Sequence, residues 1–200
     1  MKAVFMDRDG VICGNRDDYV KSWSEFQFLY RSREAIARLT EAGLLIVVIT
    51  NQSIINRGIT PASVVEDIHR RMIAEVEAHG GRIARVYYCP HRPDEHCSCR
   101  KPRPGMLFQA ARELDINLEA SYLIGDAVSD ILAAEAAGIK AYMVLTGRGK
   151  RQYLNALWQG INGFSVTLDL WRAVDDILWL ESLQRPHSDH TLTRHEVIKS

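Results

Sequence analysis

Two aspartates, Asp7 and Asp9, end the short apolar run Ala3-Val4-Phe5-Met6, and Gly10 follows them. This reads as a buried strand whose C-terminal edge presents two carboxylates on a tight turn. In open α/β sheets, ligands bind beyond the carboxyl ends of the strands, so these carboxylates stand where chemistry is expected. A pair at this spacing suits acyl-phosphate chemistry. Asp7 can attack phosphorus as a nucleophile, and Asp9 can move protons for the leaving group and then for water. A strand ending in D-x-D-G is also ordinary turn chemistry, since Asp and Gly favour such turns. The other elements have to decide between the two readings.

Leu44 to Ile49 (LLIVVI) is continuously apolar, as expected of a strand buried on both faces of a parallel sheet, and it runs into Thr50-Asn51-Gln52-Ser53. Further strands are expected at Ile83–Tyr88, at Ala120–Ile124, which ends in Gly125-Asp126, and at Ala141–Leu145. Between them lie helical patterns: from Ser32, as its cap, to about Ala42; from Pro61, at the first helical position, through Val76; from Pro104 through Leu114; and over Ser129–Ala137. Leu168–Leu183 reads as a closing amphipathic helix, with Trp158, Trp171 and Trp179 as packing residues of the C-terminal segment. The alternation βαβαβαβαβ implies an α/β domain with a mainly parallel sheet and helices on both faces. Three strand ends then converge on one edge with polar groups: Asp7/Asp9, Thr50/Asn51 and Asp126. The aperiodic Cys13–Leu29 reads as a loop lying over that edge.

Residues 1–184 are expected to form one domain, and 185–200, polar and aperiodic, a flexible tail in which His187, His190 and His195 are scattered. The chain has 200 residues, enough for one substantial core. Its 25 basic and 25 acidic residues balance, which supplies no general drive toward nucleic acid or anionic membrane. No apolar run is long enough to span a bilayer, and the N-terminus enters a strand without a signal-peptide pattern. A cytoplasmic monomer acting on a small molecule is expected, with neither nucleic acid nor membrane as partner.

Phosphoryl transfer needs a nucleophile, a proton carrier, a cation and donors for the phosphoryl oxygens. Asp7 and Asp126, with the main-chain carbonyl of Asp9, can hold Mg²⁺, which favours oxygen ligands. The Thr50 hydroxyl and Asn51 N–H can donate to phosphoryl oxygens. Lys101 or Arg100 can bring positive charge, although a lysine is more often a solvated surface residue. Three of the four cysteines crowd into Cys89–Cys99. Cys89-x-His91 and Cys97-x-Cys99 form two ligand pairs that can close a tetrahedral Zn²⁺ site, with His96 as another candidate histidine. Four protein ligands would make that zinc structural, pinning a loop and thereby placing Arg100 and Lys101.

DRDG, TNQS, CRKPRPG and IGDAVSD, in this order, resemble the four motifs of the haloacid dehalogenase phosphatase superfamily over about residues 1–180. The resemblance implies a Rossmann-like three-layer fold, an aspartyl-phosphate on Asp7 and acid/base work by Asp9. It also implies Mg²⁺ at Asp7, Asp9 and Asp126 with Asp130 in support, and phosphoryl contacts from Thr50 and Lys101. The C-x-H…C-x-C loop followed at once by RKP is similar to the capless subgroup that includes heptose-bisphosphate and histidinol-phosphate phosphatases. TNQS followed by Arg57-Gly58, and TGRGK at Thr146 followed by a strand and closing helix, favour the heptose branch. That match implies substrate contacts from Asn51, Gln52, Ser53, Arg57 and Arg100, and from the loop of Asp17, Asp18 and Tyr19. The sequence departs from the usual pattern at Val11, Ile54 and Ala127, which bears on the substrate, with histidinol phosphate or another sugar phosphate as the alternatives. A phosphate-receiving signalling domain and a zinc-based nucleic-acid module are further alternatives. The first would not need Asp9, and the second lacks a basic surplus.

Overall fold

The computed structural model describes residues 1–184, so the expected tail at 185–200 lies outside the described residues. Six strands form one wholly parallel sheet: β1 (Ala3–Met6), β2 (Leu45–Asn51), β3 (Ile83–Cys89), β4 (Tyr122–Gly125), β5 (Lys140–Val144) and β6 (Phe164–Thr167). Their order is β3-β2-β1-β4-β5-β6, so the chain winds outward from β1 in both directions. A parallel sheet needs a crossover after each strand. Here these are α1 (Ser32–Glu41), α2 (Ala62–Ala78), α3 (Gly105–Leu114), α4 (Val128–Ala136) and α5 (Gly149–Trp158), with α6 (Leu170–Gln184) closing the chain.

Side-chain alternation along each strand splits the apolar residues into two cores. Val4, Met6, Ile46, Val48, Ile124 and Val144 face α1, α2 and α6, meeting Ile36, Leu39, Ile68, Met72, Val174 and Ile177. Phe5, Val47, Ile49, Leu123 and Met143 face α3, α4 and α5, meeting Leu107, Ala110, Ile131, Ala134 and Ala156. This is the expected three-layer architecture. Burial on both faces explains why β2 reads as an unbroken apolar run.

The departures from expectation are local. Arg31, in the left-handed region, precedes α1, and Ser32 enters the helix instead of capping it. In the Thr146–Leu168 segment α5 is the unexpected element; β6 after it is the strand that the TGRGK resemblance implies, and it joins the five strands of the alternation as the sixth. β6 is a short edge strand whose central residues are exposed. Trp171 is half-buried beneath the guanidinium of Arg31, 3.2 Å from the ring centroid. Trp158 and Trp179 are instead 87% and 63% exposed, which corrects their expected packing role.

Candidate active site

Because β1, β2 and β4 are adjacent and parallel, their C-terminal ends deliver Asp7, Thr50 and Asp126 to one edge. The chain reverses its winding about β1, the place where such sheets open a crevice. A cleft of about 210 Å³ lies there, lined by Asp7, Asp9, Thr50, Asn51, Lys101 and Asp126 among others.

The turn after β1 is tight for a reason. Gly10 takes φ +88°, and a Cβ at this position would run into the Asp126 carboxylate. Only glycine lets the loop pass beneath that carboxylate. Asp7 Oδ1 accepts the N–H of Arg8 at 2.7 Å, and Asp126 Oδ2 accepts the N–H of Arg148 at 2.7 Å. Asp130, in the first turn of α4, accepts the Ala127 N–H through Oδ2 at 3.1 Å, which fixes its carboxylate behind Lys101.

Lys101 is almost wholly buried. Its ammonium donates to the Ile49 carbonyl at 2.9 Å and lies 3.1 Å from Asp7 Oδ1 and 2.6 Å from Asp130 Oδ1. Burial disfavours its charge, but Asp130 and Asp7 outweigh that and hold the ammonium above the ordinary lysine range. The Asn51 side chain fixes the main chain of Lys101 from both ends: Oδ1 accepts the Lys101 N–H, and Nδ2 donates to the Lys101 carbonyl, each at 3.1 Å. A surface lysine is thereby excluded.

Asp7, Asp126 and Asp130 bring carboxylate oxygens within 4.8 Å of one another. Three carboxylates share this pocket with one ammonium. Burial raises Asp126 to about 8, with Asp7 and Asp130 adding repulsion. It also raises Asp7 to about 6, against the pull of Lys101. Uncompensated negative charge on hard oxygen donors is what a divalent cation such as Mg²⁺ neutralises, so the donor set fits that ion. The Asp9 side chain turns away from this cluster, toward Arg8, so Asp9 has only its main-chain carbonyl to offer a cation.

The cysteine cluster stands at the end of β3 and in the following loop. Cys99 Sγ lies 3.3 Å from Cys89 Sγ, 3.4 Å from Cys97 Sγ and 3.3 Å from His91 Nδ1. Cys89, His91, Cys97 and Cys99 are thus grouped, and His96 is not among them. Tetrahedral Zn–S bonds of about 2.3 Å imply sulfur separations somewhat under 4 Å, so the group is close to what Zn²⁺ requires. Arg100 follows directly and donates through Nη1 to the His91 carbonyl at 3.1 Å, tying the cluster to the cleft.

Among the other expected contacts, Asp17, Tyr19, Asn51, Ser53, Arg57 and Arg100 all line the cleft. Gln52 and Asp18 do not. Gln52 is buried beneath the cleft, donating to Asp9 Oδ2 at 2.9 Å and to Thr50 Oγ1 at 2.8 Å. Asp18 faces outward, paired with Arg16 at 3.0 Å and Lys21 at 2.5 Å.

The HAD-hydrolase-like family model matches residues 98–173. A Pseudomonas putida protein named D-glycero-beta-D-manno-heptose-1,7-bisphosphate 7-phosphatase is 44% identical over 151 residues, spanning 76% of this chain and 86% of that one. The chain belongs to this phosphatase family. A Bordetella bronchiseptica protein of the same name is 40% identical over 76% of this chain and 84% of its own. The crystal structure of the B. bronchiseptica D,D-heptose 1,7-bisphosphate phosphatase, complexed with magnesium and phosphate, aligns at a TM-score of 0.84 and 38% identity. That alignment covers 90% of this chain and 99% of the other.

The cleft also takes in Asn15, Arg16 and Val20, from the Cys13–Leu29 loop expected over this edge, and Ala127, Ser129 and Arg148, none of the six singled out as a contact from the sequence. The first three sit in an aperiodic loop, Ala127 and Ser129 at the start of α4, and Arg148 just before α5. Ala127 and Ser129 lie in the IGDAVSD motif and Arg148 in the TGRGK segment, but neither motif says which of its side chains faces the cleft.

Proposed function

We propose that this protein removes the 7-phosphate of D-glycero-β-D-manno-heptose 1,7-bisphosphate through a phosphoaspartate on Asp7. One observation carries the reading: Asp7 contacts the Lys101 ammonium and lies within 4.8 Å of the Asp126 and Asp130 carboxylates, on a cleft that Asp9 and Thr50 also line. The Asp7 carboxylate attacks phosphorus, and the bond to the leaving oxygen breaks as Asp9 gives that oxygen a proton. Asp9 then takes a proton from the water that attacks the phosphoaspartate, which releases phosphate and restores both carboxyl groups. Lys101 and the Asn51 N–H stabilise the phosphoryl oxygens. Thr50 accepts from Gln52 through Oγ1, which leaves its own proton for the same oxygens. Asp7, Asp126 and the Asp9 carbonyl, with Asp130 in support, would hold Mg²⁺, whose chemistry is to offset repulsion between the attacking carboxylate and the phosphate.

The cleft sets five cationic side chains (Arg16, Arg57, Arg100, Lys101, Arg148) against the carboxylates of Asp7, Asp9, Asp17 and Asp126, with Asp130 behind Lys101 making the balance even. A divalent cation then makes the site positive, which suits a substrate carrying more than one phosphate. Zn²⁺ at Cys89, His91, Cys97 and Cys99 would be structural, since four protein ligands leave no open position. The thiol cluster accords with a cytoplasmic setting. The protein acts as a monomer on a small molecule, and among the described residues no helix is long and apolar enough to cross a membrane.

The test is phosphate release with Mg²⁺ from both anomers of the heptose bisphosphate, fructose 1,6-bisphosphate, histidinol phosphate and simple sugar monophosphates. The β-anomer of the heptose bisphosphate should be preferred. Asp7→Asn should lose at least about a thousandfold in kcat and take up no acid-stable label from labelled substrate. Preference for another substrate would move the reading to that substrate, and turnover by Asp7→Asn would end the phosphoaspartate mechanism.

A further inference from the structure

Behind the proton carrier lies a buried polar chain that the reaction itself does not use. Arg8 is wholly buried, although it sits between the two catalytic aspartates. One edge of its guanidinium clamps Asp9: Nε reaches Oδ1 at 3.2 Å, and Nη2 reaches Oδ1 at 3.0 Å and Oδ2 at 2.9 Å. The remaining arm, Nη1, meets Nε2 of His69 at 3.0 Å. His69 stands on the inner face of α2, only 5% exposed, with the Tyr88 ring of β3 against it at 5.6 Å between centroids. Arginine has no acceptor, so His69 must accept, with Nε2 bare and the proton on Nδ1.

We propose that His69 is a positioning residue for proton transfer: by accepting from Arg8 it fixes the guanidinium that holds the Asp9 carboxylate in place. The inference rests on Asp9 being the proton carrier. Without the imidazole, a buried charged N–H has no partner, and Arg8 can regain one only by moving, which carries Asp9 with it. Gln52 at 2.9 Å and the Cys13 thiol at 3.4 Å also donate to Asp9, but neither contacts the far side of Arg8. His69 faces Arg8 and, beyond it, Asp9. Burial first, and then the adjacent guanidinium, lower its pKa to about 3, consistent with a permanently neutral acceptor.

The experiment compares a substrate whose leaving group needs a proton with one that does not. His69→Leu should lower kcat/KM on the heptose bisphosphate at least about tenfold, with KM little changed. On p-nitrophenyl phosphate, whose leaving group departs without a proton, the fall should be within about twofold. His69→Gln, which offers an amide oxygen to Arg8, should recover most of the loss. Equal losses on both substrates, no loss at all, or a glutamine variant no better than leucine would overturn the proposal. Nitrogen-15 spectra of the histidine-labelled wild type need no variant: His69 should stay neutral with Nε2 unprotonated at pH 5, and a protonated ring there would overturn it. Asp9→Asn separates the premise from the inference. If it shows no such leaving-group dependence, Asp9 is not the proton carrier and the role of His69 falls with it. If it does and His69→Leu does not, only the role of His69 falls.

Discussion

Lys101 has no water to fall back on, and each of its contacts is to an atom that needs it. Replacing it with methionine leaves Asp7 and Asp130 facing each other without a counter-charge. Breaking a buried pair from one side costs about 3–5 kcal/mol, so Lys101→Met should lower the stability of the metal-free protein by roughly that much in urea titrations. It should also raise Asp7 further and abolish turnover. His69 makes a second prediction at this scale. Its folded pKa of about 3 lies below the unfolded value of 6.5, so its contribution is present above about pH 6.5 and is lost as pH falls toward 3. In that window the unfolded chain holds a proton that the folded chain does not. The wild type should therefore lose up to about 1.4 kcal/mol per pH unit more than His69→Gln, measured by denaturation from pH 7 to 4. Asp7 and Asp9 were legible in the sequence because they end an apolar strand beside two other polar strand ends, and Lys101 because the CRKPRPG stretch resembles a family motif. His69 was not, because its charged neighbours Glu66, Asp67, Arg70 and Arg71 make that stretch of the helix read as solvated. Its one signal was its place on the stripe of Val65, Met72 and Val76.

At the scale of elements, the site depends on two loops, one anchored in the core by Val11, Ile12 and Cys13 and one carrying the cysteine cluster. In the turn after β1, Gly10→Ala adds a methyl group where the Asp126 carboxylate sits and imposes a positive φ on alanine. A loss of about 1–3 kcal/mol is expected, together with weaker Mg²⁺ binding by titration calorimetry. In the loop after β3, Cys99→Ser should reduce bound zinc from about one per chain to near zero, read by metal analysis. Hydrogen exchange should then quicken over residues 89–104 and leave β1 and β4 protected. The kcat/KM should fall at least about tenfold, because Asn51, Lys101 and Arg100 lose their common frame. Paired ligands two apart made the cysteine loop readable. The helix from Gly149 to Trp158 was not, because α5 carries mixed polar and aromatic residues; the strand after it was expected only through the TGRGK resemblance, since Phe164–Thr167 is short and largely exposed.

For the molecule as a whole, the cation site links stability to pH. Asp7 at about 6 and Asp126 at about 8 both lie above their ordinary value of 3.8. Their contribution to the metal-free fold is therefore complete below about pH 4 and is lost as pH rises through 6 and then 8. Mg²⁺ must displace those protons, so its stabilisation grows over the same range. The rise in Tm on adding Mg²⁺ should be clearly larger at pH 8 than at pH 5, and an equal rise would count against these carboxylates as the site. The alternation of strands and helices carried most of the architecture, because a doubly wound sheet leaves few other ways to bury both faces of β2.

The central place of β1 also bears on how the chain is made. Its Val4 pairs with Ile46 on one side and with Tyr122 on the other. During synthesis β2, β3 and the cysteine loop can assemble on β1 early, while the opposite flank of the first strand waits for residues that have not yet left the ribosome. Asp7 is then made well before Asp126, which reaches it only after β2, β3 and the cysteine loop have emerged. In refolding as in synthesis, closure of the β1–β4 seam is the long-range and hence slow event. The four Cys and His side chains that could hold a metal can therefore come together well before Asp126 completes the carboxylate cluster, and the full site assembles last.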